Sequence, residues 1–184
     1  MRKVVYGAAC SLDGFIAGPD QSLDWLHWSD DVNKIMARTW SETDTILMGR
    51  KTWEFAMAAG SGGDEDPRMS AMTSYVFSRT LRSVSQPGAT LVSDDAGDFV
   101  RELKRKKGKD IVILGGGELG RSLFEAGVVD QVGLNIHPVL LGGGTPLFRD
   151  AGHRIKLELV ECRQLHGGCV FLDYRVKHGR TPKQ

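Results

Sequence analysis

Ile111, Val112, Ile113 and Leu114 form an unbroken apolar run that opens directly into glycine. A strand apolar at every position has no face to give to water, so it must be covered on both sides. The residues that follow, Gly115-Gly116-Gly117-Glu118-Leu119-Gly120, lead into a segment with Leu119, Leu123 and Ala126 at helical spacing. This is a G-x-G-x-x-G pattern in the strand-then-helix context that a phosphate-binding turn requires. The dinucleotide fingerprint also needs an acidic residue about twenty positions on, to hold ribose hydroxyls. That region reads Asn135-Ile136-His137-Pro138-Val139 and has none. Phosphate binding at the glycine turn is therefore expected, and the standard NAD site is not.

A second junction of the same kind lies upstream in residues 44–55, DTILMGRKTWEF. Thr45 to Met48 read as a short buried strand ended by Gly49. Arg50, Lys51 and Thr52 follow, and a helix is expected over residues 53–59. The turn would present unpaired N–H groups and the positive end of a helix dipole, with Arg50 as a fixed charge and Thr52 as a hydroxyl donor.

The rest of the chain supplies a frame for these junctions. Strands are expected at residues 4–9, 74–77, 89–92 and 132–136. Ser29 is a suitable N-cap for a helix reaching about residue 39, with Val32, Ile35, Met36 and Trp40 recurring at helical spacing. A further helix is expected over residues 95–107, carrying Phe99, Val100 and Leu103 inward. Residues 155–165 and 169–176 read as a hairpin turning at His166-Gly167-Gly168. Residues 11–20 form a loop with Phe15 and Ile16 as apolar anchors, and residues 13–24 are the natural cover for a ligand. Residues 60–67 read as a polar connection. The expected fold is α/β: a central mixed, mostly parallel sheet flanked by helices in three layers, with an antiparallel hairpin at its C-terminal edge. One domain is expected over residues 1–176, with a polar tail over 177–184.

The totals exclude several classes. With 24 basic and 23 acidic residues the net charge is +1, so composition implies no charged partner. The cluster Lys104-Arg105-Lys106-Lys107 suits the end of a helix rather than nucleic acid, since no aromatic platform accompanies it. There is no apolar run long enough to span a membrane and no secretory signal. Three cysteines make no disulfide framework, which points to a reducing cytoplasm. Cys162, His166 and Cys169 lack zinc-site spacing, and no metal is expected. Ser78 and Arg79 end a strand near the two glycine turns. A guanidinium there suits a 2′-phosphate, which favours NADPH over NADH.

The strand–GRKTWE–helix segment, the Ser78-Arg79 strand end and the ILGGGEL segment resemble the dihydrofolate reductase-like superfamily in order and spacing. The SLDGFIAG loop, Leu23-Asp24-Trp25 and HPVLLGGGTPLF resemble stand-alone relatives of the reductase domain of the bacterial bifunctional riboflavin-biosynthesis deaminase/reductase. The resemblance implies hydride transfer from NADPH. It implies that Ala9 and Ile16 hold the nicotinamide carboxamide through backbone groups. Gly49, Arg50 and Thr52 would hold phosphate, and Ser78 and Arg79 the 2′-phosphate. Gly115, Gly116, Gly117, Glu118 and Leu119 would line the diphosphate and the nicotinamide. It also implies a homodimer formed through the C-terminal strands. Asn33 stands where dihydrofolate reductases carry the acid that grips the pteridine, and Leu23-Asp24-Trp25 replaces their Leu-Pro-Trp. The implied substrate is therefore closer to a sugar-phosphate aminopyrimidine than to dihydrofolate. No zinc deaminase signature accompanies the reductase segment. Asp13, Asp24 and Asp31 are the candidates for substrate binding or proton delivery. The alternatives are a true dihydrofolate reductase and an NADPH-binding protein without turnover.

Overall fold

The computed structural model describes residues 1–58, 71–115, 117–150 and 152–178. The expected connection over residues 60–67 and most of the tail lie outside them. The apolar run predicted to be covered on both faces is β6 (Asp110–Leu114), one of the two central strands of an eight-stranded sheet. The spatial order is β5-β4-β3-β6-β1-β7-β10-β9. These strands are β1 (Val4–Ser11), β3 (Thr43–Gly49), β4 (Thr73–Phe77), β5 (Ala89–Val92), β7 (Gln131–His137), β9 (Lys156–Gln164) and β10 (Val170–Lys177). Six run parallel, from β5 to β7. β10 then pairs antiparallel with β7, and β9 with β10. The mixed α/β sheet with an antiparallel C-terminal hairpin is as expected.

Strand alternation divides the core into two layers. On one face Leu47, Ile111 and Ile113 pack with Tyr6, Val132 and Leu134 beneath α3 (Ala96–Arg105) and α4 (Gly117–Glu125). On the other, Ile46, Met48 and Val112 pack against Trp40 of α1 (Asp30–Glu42) and Trp53 of α2 (Arg50–Ala58). Ser29 caps α1 by accepting from the Val32 N–H. The helix continues to Glu42, beyond the expected end near residue 39, because burial of Trp40 adds a turn. Asp95 caps α3 in the same way. α2 begins at Arg50, directly after the strand, rather than at Trp53.

One pairing went unseen in the sequence. Within the loop of residues 11–20, β2 (Phe15–Ala17) pairs antiparallel with β8 (Thr145–Pro146). Gly144 makes this possible: its φ is +125°, and a Cβ there would lie 2.0 Å from the Ala17 carbonyl oxygen.

Tight packing also fixes Gly120 of α4. A Cβ at this position would come within 2.6 Å of Tyr6 Cε2, and Tyr6 is anchored by donating to the Leu147 carbonyl at 2.6 Å. Gly120→Ala is expected to destabilise the protein by about 1–3 kcal/mol through overpacking, against the ordinary preference of helices for alanine. Urea unfolding checks this; equal or greater stability would mean the Tyr6 ring moves freely.

Candidate functional site

The parallel strands β3 and β6 are neighbours, with Met48 in register with Leu114. Their two glycine junctions therefore meet. α2 starts immediately after Gly49, so the N–H groups of its first turn have no helical partners. Gly115 has φ of +63°, and a Cβ there would stand 2.7 Å from Thr52 Oγ1. Glycine is thus required at 115 twice over, by backbone conformation and by the approach of α2. On α4, a Cβ at Gly117 would fall 2.7 Å from Arg149 Cγ. Gly116 lies outside the described residues.

These junctions form one side of a cavity of about 1060 Å³. Every described residue named for cofactor binding lines it: Ala9, Ile16, Gly49, Arg50, Thr52, Ser78, Arg79, Gly115, Gly117, Glu118 and Leu119. Ser78 follows β4. Its hydroxyl oxygen accepts from the N–H groups of Thr80 and Leu81 at 3.1 and 3.0 Å and lies 3.3 Å from Thr80 Oγ1. Arg50 Nη1 donates to Thr80 Oγ1 at 3.2 Å, which ties the α2 start to the β4 end. Arg79 is exposed and has no ion-pair partner among the described residues. Glu118 lies 3.7 Å from Arg121 and 3.6 Å from Arg149, so its charge is balanced at the mouth. A donor-rich, glycine-floored cleft with a guanidinium unpaired among the described residues fits an anionic dinucleotide bearing an extra phosphate.

The three aspartates are a correction. None of Asp13, Asp24 or Asp31 lines the cavity. The Asp13 carboxylate accepts from Ser11 Oγ at 2.6 Å, Gly142 N–H at 2.8 Å and Leu141 N–H at 3.1 Å. The Ser11 hydroxyl, then these backbone donors, hold its pKa below the usual carboxylate range. It fastens the β2 loop to the segment before β8. Asp31 accepts from His166, at 3.2 Å from the backbone N–H and 2.5 Å from Nδ1, and this contact likewise lowers its pKa. Asp24 is exposed.

The structure brings other polar groups into the cavity instead. His137, at the end of β7, is 2% exposed and meets Trp25 edge-on at 5.3 Å between ring centres. The His27 N–H donates to His137 Nδ1 at 3.1 Å, so Nδ1 carries no proton and Nε2 does. Burial, then His27, depresses its pKa and keeps it neutral. Nε2–H faces the Asn135 amide at 3.1 Å and needs an acceptor there. The amide must therefore turn its oxygen to His137; the other orientation leaves Oδ1 buried without a partner. Gln131, Gly133 and Asp173 line the same wall, with Trp28 and Phe55 at the rim. The sequence did carry a signal for the β7 residues: QVGLNIH alternates apolar with polar or small positions.

The profile of the RibD C-terminal domain family matches residues 2–171 of this chain. The uncharacterized protein YyaP of Bacillus subtilis (strain 168) is 34% identical over 180 residues, 94% of each chain. Among solved structures, a candidate riboflavin biosynthesis protein from Shewanella sp. PV-4 superposes with a TM-score of 0.83 at 25% identity, covering 96% of this chain and 99% of that one. The Thermotoga maritima diaminohydroxyphosphoribosylaminopyrimidine deaminase/5-amino-6-(5-phosphoribosylamino)uracil reductase shares the fold, with a TM-score of 0.70 at 14% identity. That match covers 96% of this chain and 57% of the longer protein.

The clamp at Asp13 makes a pH prediction. A carboxylate whose folded pKa is depressed adds stability above its unfolded pKa and loses it as pH falls toward the folded value. Thermal melts should therefore show Asp13→Asn below the wild type at about pH 7, with the gap narrowing as pH falls below the ordinary carboxylate range of about 4. A gap that is independent of pH would mean the charge of Asp13 is not what fastens the loop.

Proposed function

The chain belongs to the RibD C-terminal domain family, and from that membership we propose that it is an NADPH-dependent reductase acting on a small heterocycle of the aminopyrimidine kind. The observation that carries the proposal is the meeting of the two helix N-termini across Gly115 and Thr52, with Ser78 and Arg79 at the neighbouring strand end. Backbone N–H groups around Arg50–Thr52 and Gly117–Leu119 take the diphosphate. Arg79 and the Ser78 hydroxyl take the 2′-phosphate, with Arg50 steadied by Thr80 beside them. Ala9 on β1 and Ile16 on β2 hold the carboxamide through their backbones. When bound, the nicotinamide supplies the hydride.

The chain's own contribution is position and dryness. Leu26 and Trp28, which follow the covering loop, wall the cavity with apolar groups together with Val32, Ile35 and Met36 of α1. The β2–β8 pairing and the Asp13 contacts hold the cover in place. A reducing, cytoplasmic setting is part of the same proposal, in keeping with Cys10, Cys162 and Cys169 being free thiols.

A homodimer through the C-terminal strands completes it. β9 is the outer strand of the sheet, and Leu157, Leu159 and Val160 on it are 41%, 54% and 52% exposed. Val160 is the extra residue of a bulge opposite Asp173 and Tyr174. A free edge carrying three large apolar side chains suits a second copy of the chain.

Two measurements test these points. Arg79→Ala is expected to weaken NADPH binding about tenfold or more, the cost of one charge-assisted contact, and to leave NADH binding nearly unchanged. Equal losses for both nucleotides would remove the 2′-phosphate assignment. Light scattering after size-exclusion chromatography should give a dimer for the wild type and a monomer for Leu159→Lys. A monomeric wild type would end the dimer proposal.

A further inference from the structure

The cavity wall opposite α1 is built from the inward residues of β1, β7 and β10. Gly133 of β7 is in register with Gly7 of β1 on one side and with Asp173 of β10 on the other. One row across the sheet therefore carries no side chain, no side chain and a carboxylate. Neither glycine serves the backbone, since neither has a positive φ. Neither avoids a clash: a Cβ on Gly133 would meet nothing nearer than Phe171 Cε2 at 3.9 Å, and one on Gly7 nothing nearer than Val112 Cγ2 at 3.6 Å. Both lie in the cavity lining. The two glycines leave a bare patch of peptide, and Met36, Thr39 and Trp40 of α1 line the same cavity from the helix layer. A flat ligand suits such a slot.

The acid at the end of the row is half-buried, whereas Asp94, Asp95 and Glu118, the other acids lining the cavity, are exposed. Glu118 is matched by two arginines, and Asp95 caps α3. Asp173 has no ion-pair partner among the described residues. The nearby cations Arg175 and Lys177 lie against Glu158, and Arg163 pairs with Glu161. Both oxygens of Asp173 accept from one nitrogen, Gln131 Nε2, at 2.8 Å each. The orientation of Gln131 is fixed in turn, because Lys3 Nζ donates to its Oε1 at 3.4 Å. One amide nitrogen leaves most of the lone pairs of a carboxylate unmet. Along β7, Asn135 stands two residues from Gly133, roughly 7 Å at strand spacing. With its oxygen given to His137, its NH₂ takes the enclosed position opposite, where it has no acceptor among the described residues. The Asp173 carboxylate thus closes one end of the bare floor formed by Gly7 and Gly133.

We propose that Asp173 is the substrate-recognising acid of this site, and that it binds the adjacent ring N–H and exocyclic amino groups of a planar heterocycle lying over Gly7 and Gly133. The proposal deepens the reductase reading and rests on it for the identity of the cavity as a substrate site. The ligand class follows from the donors it must present: two neighbouring N–H groups in one plane, as in an amino-substituted pyrimidine or pteridine, matched to two carboxylate oxygens. An edge with only carbonyl oxygens meets Asp173 with repulsion.

The test uses two fluorescent pteridines of equal size, 6,7-dimethyllumazine and 2,4-diamino-6,7-dimethylpteridine, the latter presenting a ring N–H beside its 2-amino group once N1 takes up a proton from solvent, titrated into the full chain. The wild type should bind the diamino compound at least about tenfold more tightly than the lumazine, the value of one charged contact. Asp173→Asn should erase that preference by weakening the diamino compound alone. Gly133→Val, which fills the slot without straining the backbone, should abolish binding of both. Thermal melts establish that each variant is folded. Diamino binding unchanged in Asp173→Asn, or no preference in the wild type, would overturn the proposal. NADPH is titrated separately in the same samples. Loss of the pteridine pattern with NADPH binding intact removes this inference alone. Absence of NADPH binding with the pteridine pattern intact removes the cofactor reading and leaves Asp173 as a ligand-recognising residue.

Discussion

The contact between Gly115 and Thr52 is the constraint on which the rest of the site depends. Two helices of opposite layers start at the ends of adjacent strands, and their first turns can share one ligand only if nothing stands between them. A side chain at 115 would occupy the position of Thr52. The glycine is therefore not merely a turn former. It sets the distance between two sets of unpaired N–H groups, and hence the spacing of the charges they can hold. The strand register that aligns Met48 with Leu114 brings the junctions level, and burial of both strands on both faces keeps that register from slipping. The Ser78-Arg79 end of β4 joins them because β4 is the next strand along.

The other half of the cavity obeys a different rule. There the sheet itself is the wall, and alternation on β7 decides what faces the ligand. Val132 and Leu134 go to the core beneath α3 and α4, while Gln131, Gly133, Asn135 and His137 face α1. His137 is not free to act as a proton carrier. Burial keeps it neutral, and His27 and Asn135 occupy both ring nitrogens. Its place in the architecture is to orient the Asn135 amide and to give Trp25 an edge to pack on.

How much of this was legible in the sequence depended on whether a signal was local. The strands and helices were, because apolar runs, N-caps and glycines sit within a few residues of one another. Ser29 and Asp95 mark their helices by side chains that accept from the first turn. The β2–β8 pair was not legible, since two short segments more than a hundred residues apart carry no pattern until they touch. The start of α2 was misjudged for a related reason: Arg50, Lys51 and Thr52 read as a turn, but β3 hands its backbone straight to the helix. The aspartates fail more instructively. Asp13, Asp24 and Asp31 were chosen for their chemistry in a loop and at a helix start. Asp13 and Asp31 are used for the same chemistry turned inward, accepting from backbone and histidine donors to hold the fold. Asp173 was hidden because it sits in a hairpin strand with no motif around it, and only the register with Gly133 gives it meaning.

The central claim is that two glycine-hinged helix starts and one strand end together make a site for a dinucleotide phosphorylated at the 2′ position. Titration of the wild-type chain with NADPH and with NADH, followed by tryptophan fluorescence, addresses it most directly, because Trp28 lines the cavity and Trp25 packs against His137. The account predicts saturable quenching by NADPH, at concentrations at least about tenfold lower than NADH requires. Quenching by neither nucleotide would contradict it, and would reduce the meeting of Gly115 and Thr52 to packing between two ordinary turns.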